Sequence, residues 1–484
     1  MMADGLRLGF DNSYRRLPER FYACLPPTPV AAPHLLVLNA DLAETLGLDL
    51  AQLAPVAAEL FAGNRLPADA EPIATAYAGH QFGQFVPQLG DGRAILLGEL
   101  IGRDGQRRDV QLKGAGRTPF SRHGDGRAAL GPVLREFLIS EAMHALRIPT
   151  TRALAAVLTG EPVFREEVLP GAVLTRVAAS HIRVGTFQYF AVRGDLDAVR
   201  RLADHAIALH DPELAGLPER YLAFLAAVAE RQAYLVARWM QVGFVHGVMN
   251  TDNMAVSGET IDYGPCAFID AYDPASVFSS IDQFGRYAFA NQPLIARWNL
   301  ARLAETLLPL IDADSDRAIA RASEVIDAFP EAFERHWLAG MRAKLGLTRA
   351  APEDRVLIDE LLAVMQATAA DYTRTFRGLA EHVGGGAAPA GLPAGWLERW
   401  RQRRAGEPTS ADQQAAIMRA ASPAFIPRNH RVEEALAAAR AGDLGPFEVL
   451  RRVLGRPYDD QPEYAAYMEP PPPSDQPYRT FCGT

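Results

Sequence analysis

The stretch HGVMNTDNMAVSGETIDYG, His246 to Gly264, carries the strongest fold signal in the sequence. Asn253 follows His246 by seven positions, and Asp262 opens an Asp-Tyr-Gly triplet nine positions later. Both side chains offer hard oxygen ligands, which Mg²⁺ prefers. MAV and ETID are predicted to form two short strands joined at Ser257-Gly258, so that Asp262 ends a hairpin. The stretch therefore predicts a metal-binding loop followed by a hairpin.

A β-rich segment with glycine turns is predicted upstream of this stretch. Phe85 to Leu89 is predicted to be a short strand, the tetrapeptide GDGR at 90–93 a turn, and RAILLGEL a second strand. The Gly-Asp-Gly signal in GRDGQ predicts a hairpin turn before a third strand, RRDVQLK. Alternation along the third strand places Lys113 on the face opposite Val110 and Leu112, under the first glycine turn.

A helix and two more strands are predicted after the third strand. A second GDGR, at 124–127, lies in the intervening loop, and Pro132 suits the first turn of the helix PVLREFLISEAMHAL. This helix carries Glu136 and Glu141 partly off its apolar stripe, so either carboxylate is a candidate partner for Lys113. Two further strands are predicted around TRALAAVL and GAVLTRV.

From about Gly185 the pattern becomes helical. Helices are predicted from Leu196 to His210, from Glu219 to Gln241 and again beyond Pro293, with a flexible linker at 384–395. The predicted divisions of the chain are an N-terminal extension (1–70), a β-rich lobe (71–184), a helical lobe (185–460) and a proline-rich tail (461–484).

The composition indicates a globular chain with a sizeable core, since 49% of the 484 residues are hydrophobic. The formal net charge of −9 argues against a generic nucleic-acid or anionic-membrane surface, because both require a basic face. No apolar run reaches the ~18 residues that span a bilayer, and the first residues lack the apolar core of a secretion signal. We therefore expect a cytoplasmic protein that binds neither nucleic acid nor membrane.

The order of these elements is the order found in protein kinases, from the glycine turn and the strand lysine to the His-to-Asn loop and Asp-Tyr-Gly. The predicted fold class is α+β, with a kinase-like bilobal arrangement of a β-rich lobe and a mostly helical lobe. Lys113 is the predicted phosphate contact, Glu136 its orienting partner and Glu141 a rival for that role. Gly90 and Gly92 would let backbone amides approach the phosphates.

One part of a kinase loop is missing from the stretch at 246–264. The base would stand at position 248, where the chain has a valine, which cannot accept a proton. The nearest carboxylate is Asp252, beside Asn253. A base moved by four positions changes where the acceptor hydroxyl must lie, and therefore which phosphorus it attacks in line. Attack on the γ-phosphate is no longer assured.

The chain resembles the selenoprotein O family over nearly its whole length. The resemblance rests on the motifs HGVMNTDNM, TIDYGP, VQLKGAGRTPFSR, SEAMHALRIPTTRAL and the two GDGR turns. It implies a kinase-like fold in which ATP is bound flipped relative to ordinary kinases. It also implies transfer of AMP, not phosphate, to hydroxyl side chains of proteins, with ATP and Mg²⁺ or Mn²⁺ required.

The same resemblance implies roles for individual residues. Asp252 would be the proton acceptor, Asn253 and Asp262 the metal ligands, and Lys113 with Glu136 the catalytic phosphate-binding pair. Asp262 would also contact the nucleotide. The other residues implied to bind the nucleotide are Gly90, Gly92, Arg93, Asp125, Gly126, Arg176 and Arg183. The last two match arginines at the far end of the triphosphate, where guanidinium groups would stabilise departing pyrophosphate.

Three activities remain open on the sequence. They are a protein adenylyltransferase acting on Ser, Thr or Tyr, an orthodox γ-phosphotransferase, and a catalytically inactive pseudokinase that binds ATP as a scaffold. Val248 disfavours the orthodox kinase, and the retention of Lys113, Asn253 and Asp262 disfavours the inactive scaffold, so we expect AMP transfer. Cys482 stands third from the end, the place of selenocysteine in eukaryotic members, which makes a redox role of the tail a hypothesis without an identified partner thiol.

Overall fold

The computed structural model describes residues 5–472, 474 and 478–481. The predicted α+β class is confirmed, because a β-rich part is followed by a helical part. In chain order the strands are β1 (Tyr22–Cys24), β2 (His34–Leu38), β3 (Ile73–Thr75), β4 (Gly79–Gln81), β5 (Gln84–Val86), β6 (Ala94–Ile101), β7 (Arg107–Lys113), β8 (Ala128–Ala129), β9 (Arg152–Phe164), β10 (Val168–Ala178), β11 (Phe244–Val245) and β12 (Ala267–Phe268).

The helices include three short ones near the start of the chain and a dense array after β10. In chain order they are α1 (Ala40–Thr45), α2 (Leu50–Leu53), α3 (Ala57–Ala62), α4 (Leu130–Ala145), α5 (Val184–Ala191), α6 (Leu196–His210), α7 (Arg220–Val242), α8 (Gln292–Ile311), α9 (Ser315–Lys344), α10 (Asp354–Thr368), α11 (Tyr372–Val383), α12 (Ala394–Ala405), α13 (Ala411–Ala421), α14 (Asn429–Arg440) and α15 (Gly445–Leu454). None of those in the described part of the chain is long and apolar enough to cross a membrane.

The main sheet is antiparallel, with strand order β1-β3-β6-β7-β10-β9-β2 and β8 beside β10. Its two edges come from the first 70 residues, which were predicted to be an extension: Tyr22 of β1 pairs with Thr75, and His34 of β2 pairs with Leu158. These edge strands are three and five residues long. A strand of that length is too short for a periodic signal to be read from the sequence.

The predicted strand at 85–89 does not join this sheet. β5 pairs with β4 in a separate two-stranded hairpin, and β3 takes the place beside β6. Pro87 follows β5 directly, and a proline lacks the N–H that a ladder position would donate. The predicted hairpin of β6 and β7 is confirmed, with Ala94 opposite Lys113.

The predicted hairpin of MAV and ETID is wrong. Ala255 forms a single bridge with Arg183, and Thr260 forms a single bridge with Thr150. Each side therefore pairs with a distant part of the chain, not with the other side. Only the turn between them forms, with the N–H of Gly258 donating to the carbonyl oxygen of Ala255 at 3.1 Å.

The predicted helices around the site are close to their observed bounds. α4 is the helix predicted to carry the glutamates, and α6 runs over the predicted residues. α7 differs from the prediction by one residue at each end, and the predicted linker at 384–395 overlaps the loop between α11 and α12. These helices were predictable because each presents a sustained apolar stripe to its neighbours.

α7 positions the stretch at 246–264. It packs against α8 and α9 and ends at Gly243, which has a φ of 76°. A Cβ at Gly243 would lie 2.7 Å from Cγ1 of Ile269, so close packing as well as the left-handed backbone requires glycine. The chain then forms β11, which pairs with β12, and the residues between these two strands loop out toward the main sheet.

The tail packs close to the Asp-Tyr-Gly triplet. The hydroxyl of Thr480 donates to the carbonyl oxygen of Pro265 at 2.7 Å, and Thr480 is buried. Cys24 is exposed and Cys266 is buried, and both carry free thiols. Cys482, on which the redox hypothesis rests, lies outside the described residues.

Candidate active site

A cleft of about 850 Å³ lies between the glycine turns of the β-rich part and the 246–264 stretch. Its walls include the predicted proton acceptor, both predicted metal ligands, Lys113 and every other residue predicted to bind nucleotide. Glu136 lies behind Lys113 and lines a second cavity of about 390 Å³ beside the cleft. Residues that are distant in the sequence thus meet around one space large enough for a nucleotide.

Lys113 pairs with Glu136, one of its two candidate partners. The Lys113 Nζ atom lies 2.6 Å from Oε2 of Glu136, where the end of β7 faces α4. Glu141 points elsewhere and holds Arg152 at 2.7 Å and the amide of Asn39 at 2.8 Å. Burial alone would raise the pKa of Glu136, but the charges of neighbouring Arg176 and Lys113 outweigh it and lower the pKa.

We expect Glu136→Gln to slow transfer by about tenfold or more, because Lys113 loses the charge that orients it (roughly 1.4 kcal/mol of barrier). Glu141→Gln is the matched control on the same helix. It should leave transfer nearly unchanged and lower the free energy of unfolding by about 1–3 kcal/mol. Initial rates and urea unfolding curves measure the two effects. A larger loss of rate in Glu141→Gln than in Glu136→Gln would contradict the assignment.

The carboxylate of Asp262 is surrounded by three cations. Its Oδ1 atom lies 3.1 Å from Lys113 Nζ and 2.7 Å from Arg176 Nη2, and its Oδ2 atom lies 3.2 Å from Arg183 Nη1. Although burial raises the pKa of Asp262, the charges of Arg176, Lys113 and Arg183 hold it well below its usual range. Asp262 also has a φ of 64°, which is uncommon outside glycine and costs of order 1 kcal/mol.

Arg176 and Arg183 are buried, although most arginines in proteins lie at the surface. Their side chains are 2% and 4% exposed. Arg176 donates to Oε1 of Glu136 from Nε at 2.8 Å, and the ring of Tyr77 lies 4.5 Å from the Arg183 guanidinium carbon. Seven lysine and arginine side chains line the cleft against four aspartates, and this excess of positive charge favours binding of a polyphosphate.

Asp252 lies in a short helical turn at the bottom of the cleft. It is 6% exposed, and its Oδ2 atom accepts a hydrogen bond from Gln81 Nε2 at 3.1 Å. Its Oδ1 atom has no hydrogen-bond partner among the residues that the structure describes. Burial raises the pKa of Asp252 to about 6, mainly by removing water from the carboxylate. The group is therefore ionised at neutral pH and is a stronger base than an exposed aspartate.

The loop that carries Asn253 is fixed by two contacts. Asn253 Nδ2 donates to the carbonyl oxygen of Val248 at 3.1 Å, which leaves Oδ1 as the ligand atom of the amide. His246 is fully buried and its Nε2 lies 2.9 Å from the carbonyl oxygen of Ile261, so the histidine ties the two ends of the loop together. Its function in the structure is to shape the loop.

The residues present fit a divalent metal that is shared with a nucleotide. In residues 5–472, 474 and 478–481, no group of three or more His, Cys, Asp and Glu side chains could hold a metal by itself. Asn253 and Asp262 offer two oxygen ligands at the edge of the cleft. Mg²⁺ is commonly held by one or two protein oxygens together with phosphate oxygens and water.

The loop between β7 and β8, which carries the second GDGR, packs against a glycine of each GDGR turn. A Cβ at Gly90 would lie 2.4 Å from Cγ of Phe120, and one at Gly126 would lie 2.1 Å from the carbonyl carbon of Gly116. Both glycines also have positive φ, 116° and 73°. Close packing thus gives a reason for glycine in addition to the predicted approach of phosphates. Asp125 sits at the exposed rim, paired with Arg165 at 2.8 Å.

The sequence analysis missed Tyr77 and Gln81, which line the cleft beside the predicted residues. Both belong to the segment Ala76–Arg93, which connects β3 to β6. The part of this segment that precedes Phe85 has no periodic pattern and no motif of known chemistry, so nothing in its sequence indicates contact with Asp252.

A cationic cleft between a β-rich part and a helical part is typical of transferases that use nucleoside triphosphates. The sequence model of the family described as Protein adenylyltransferase SelO matches residues 5–454. The chain therefore belongs to this family, and the resemblance noted in the sequence is confirmed.

Curated relatives cover nearly the whole chain. The chain is 61% identical over 490 residues to a Rhizobium etli protein named Protein nucleotidyltransferase YdiU, covering 99% of this chain and 98% of the relative. Proteins of the same name from Rhizobium meliloti and Bradyrhizobium diazoefficiens are 60% identical over 485 residues and 61% identical over 486 residues. In both cases the match covers 98% of this chain and 99% of the relative.

Proposed function

We propose that this protein is a protein adenylyltransferase of the cytoplasm, which transfers AMP from ATP to Ser, Thr or Tyr hydroxyls of other proteins and releases pyrophosphate. Membership of the SelO family and the names of its relatives support the reaction class. The observation that carries the proposal is the position of the base: Val248 cannot accept a proton, while Asp252 lies in the cleft with one carboxylate oxygen unpartnered.

The proposed arrangement is kinase-like, with the β-rich part as one lobe and the helical part as the other. Three observations support it: the pairing of Lys113 on β7 with Glu136 on α4, the position of Asp262 beside Lys113, and the loop that holds Asn253. In a kinase the same parts hold and neutralise the phosphates.

In the proposed reaction, the acceptor hydroxyl gives its proton to Asp252 as its oxygen attacks the α-phosphorus. The bond from the α-phosphorus to the bridging oxygen breaks, and pyrophosphate leaves with that oxygen. Lys113, Arg176 and Arg183 hold the phosphates and neutralise the charge that develops on the leaving group. The burial of Arg176 and Arg183 strengthens this effect, because charges interact more strongly where water is excluded.

A divalent metal would be held by Asn253 and Asp262. When bound, Mg²⁺ or Mn²⁺ supplies positive charge that polarises the phosphate oxygens. Asp262 itself is ionised over the whole physiological pH range, because the neighbouring cations lower its pKa. It therefore does not need to lose a proton before it can act as a ligand.

Labelled ATP tests the proposal. The protein is incubated with Mg²⁺ or Mn²⁺ and ATP labelled at either the α- or the γ-phosphate, with casein added as a hydroxyl-rich acceptor. We expect protein-bound label from the α-position only, together with release of pyrophosphate. Label from the γ-position alone would show an orthodox kinase. The absence of any label with either metal would indicate an ATP-binding scaffold.

A further inference from the structure

The segment between β3 and β6 leaves the main sheet and reaches the turn that carries Asp252. It contains the β4–β5 hairpin, residues 79–86. The backbone N–H of His80 donates to Oγ1 of Thr251 at 2.7 Å, and that of Phe82 donates to Oδ1 of Asn250 at 3.1 Å. Backbone amides of the hairpin thus bind the two side chains that directly precede Asp252 in the chain.

Other side chains also bind the residues at which the hairpin meets the Asp252 turn. Gln188 accepts a hydrogen bond from the Thr251 hydroxyl at 2.6 Å, and its amide nitrogen lies 2.9 Å from Nδ1 of His80. The hydroxyl of Tyr287 donates to Oδ1 of Asn250 at 2.7 Å. Asn250 and Thr251 are both buried. The hairpin and the turn are therefore held together by a connected set of buried and partly buried hydrogen bonds, which resist relative motion.

Two residues of β4 meet the Asp252 carboxylate. Gln81 Nε2 donates to Oδ2, which leaves Oδ1 as the oxygen without a partner. A Cβ on Gly79 would lie 2.3 Å from Oδ1, so any other residue at 79 would press against this atom. A carboxylate that accepts no hydrogen bond can exchange its two equivalent oxygens by rotation. The hydrogen bond from Gln81 to Oδ2 makes the two oxygens of Asp252 different.

We propose that Gln81 is a positioning residue for Asp252: its amide holds Oδ2 so that Oδ1 is kept for the proton of the acceptor hydroxyl. The inference rests on the proposed function. Oδ1 is buried and unpartnered, and a buried acceptor in that state requires a donor. A hydroxyl group that loses its proton to Oδ1 supplies one. The proton moves from the hydroxyl to Oδ1, and the Gln81 amide keeps its own hydrogens.

Replacement of Gln81 by methionine tests the proposal, since it keeps the length of the side chain and removes the donor. Gln84→Met is the matched control, because Gln84 faces Gln81 across the same hairpin and is exposed. AMP incorporation into casein is measured against ATP concentration for both variants. We expect Gln81→Met to lower the maximal rate about tenfold or more, within the range for a general base, with little change in the half-saturating ATP concentration.

A second measurement does not depend on transfer. Hydrogen exchange of the peptides that cover residues 248–256 should be faster in Gln81→Met than in the wild type, and unchanged in Gln84→Met. Gln81→Glu, which has the same shape but places a second carboxylate beside Asp252, should show the same changes and a lower rate than Gln81→Met. Gln81→Glu also tests the proposal if Gln81→Met fails to fold.

The outcomes separate this inference from the proposed function. If the wild type incorporates no α-label, the proposed function fails, and the exchange rates still decide whether Gln81 holds the Asp252 turn. If Gln81→Met transfers AMP as fast as the wild type, or faster, Gln81 does not position the base. A rate of hydrogen exchange in residues 248–256 of Gln81→Met that equals the wild-type rate also overturns the inference.

Discussion

Replacement of Asp262 by alanine is expected to abolish AMP transfer, with a loss of more than about 10³-fold, equivalent to roughly 4 kcal/mol of barrier. The change removes a predicted metal ligand. It also removes the carboxylate that Lys113, Arg176 and Arg183 share at 2.7–3.2 Å. The three cations would then repel one another with Glu136 beside Lys113 and Arg176, and Asp91 beside Arg183, to balance them, so their positions around the phosphates would change as well.

The Asp262→Ala result is read with two companion variants. Asp262→Asn keeps the shape of the side chain and guards against loss of folding, and it should also be inactive. Asp273→Ala removes an exposed aspartate eleven positions further along the chain, whose carboxylate accepts a hydrogen bond from the backbone N–H of Ala275, and should keep full activity. The α-label assay measures transfer, and thermal unfolding confirms that each variant is folded. Activity of Asp262→Asn near that of the wild type would refute the metal assignment.

Replacement of Asp252 by asparagine is expected to slow transfer by about 10²–10⁴-fold while leaving ATP binding nearly intact. The amide cannot accept the proton of the acceptor hydroxyl. The residues that hold the phosphates do not contact the Asp252 side chain, except that Arg183 donates to its backbone carbonyl oxygen at 2.9 Å. That contact survives the substitution. Loss of rate without loss of binding is the signature of a missing base.

Transfer and binding are measured separately for Asp252→Asn. The initial rate of α-label incorporation at saturating ATP reports the chemical step, and calorimetric titration with ATP and Mg²⁺ reports binding. Glu259→Gln is a suitable control, because Glu259 is a half-buried acid of the same stretch that contacts Ser257 and the backbone of Ala179, away from the cleft. A rate in Asp252→Asn above half that of the wild type would exclude Asp252 as the base.

Much of the fold follows from local patterns. The β6–β7 hairpin was predictable from alternation and a Gly-Asp-Gly turn, and α4, α6 and α7 from their apolar stripes. The helix with the glutamates was thus correctly placed beside the strand with Lys113. What could not be predicted is the choice between Glu136 and Glu141, because two carboxylates five positions apart on one helix differ only in what packs against each.

Most differences between the predicted and observed strands have one physical cause. The strands expected in MAV and ETID pair with residues more than 70 positions away in the case of Ala255 and more than 100 in the case of Thr260. The strand expected at 85–89 forms a small hairpin with β4, and β1 and β2 come from the segment predicted to be an extension. Apart from the local β4–β5 hairpin, each outcome depends on a backbone partner that is distant in the chain, and hydrogen-bonding partners of that kind leave no local pattern.

The sequence by itself determined the α+β class, the family and the set of residue types that a metal and a polyphosphate require. Long ordered motifs and the seven-residue spacing of His246 and Asn253 were sufficient for this. Only the tertiary structure decided that Arg176 and Arg183 are buried against Asp262, and that Gln81 reaches Asp252. The charge on a side chain is fixed by its chemistry, but its burial and its partners depend on elements that meet only when the chain folds.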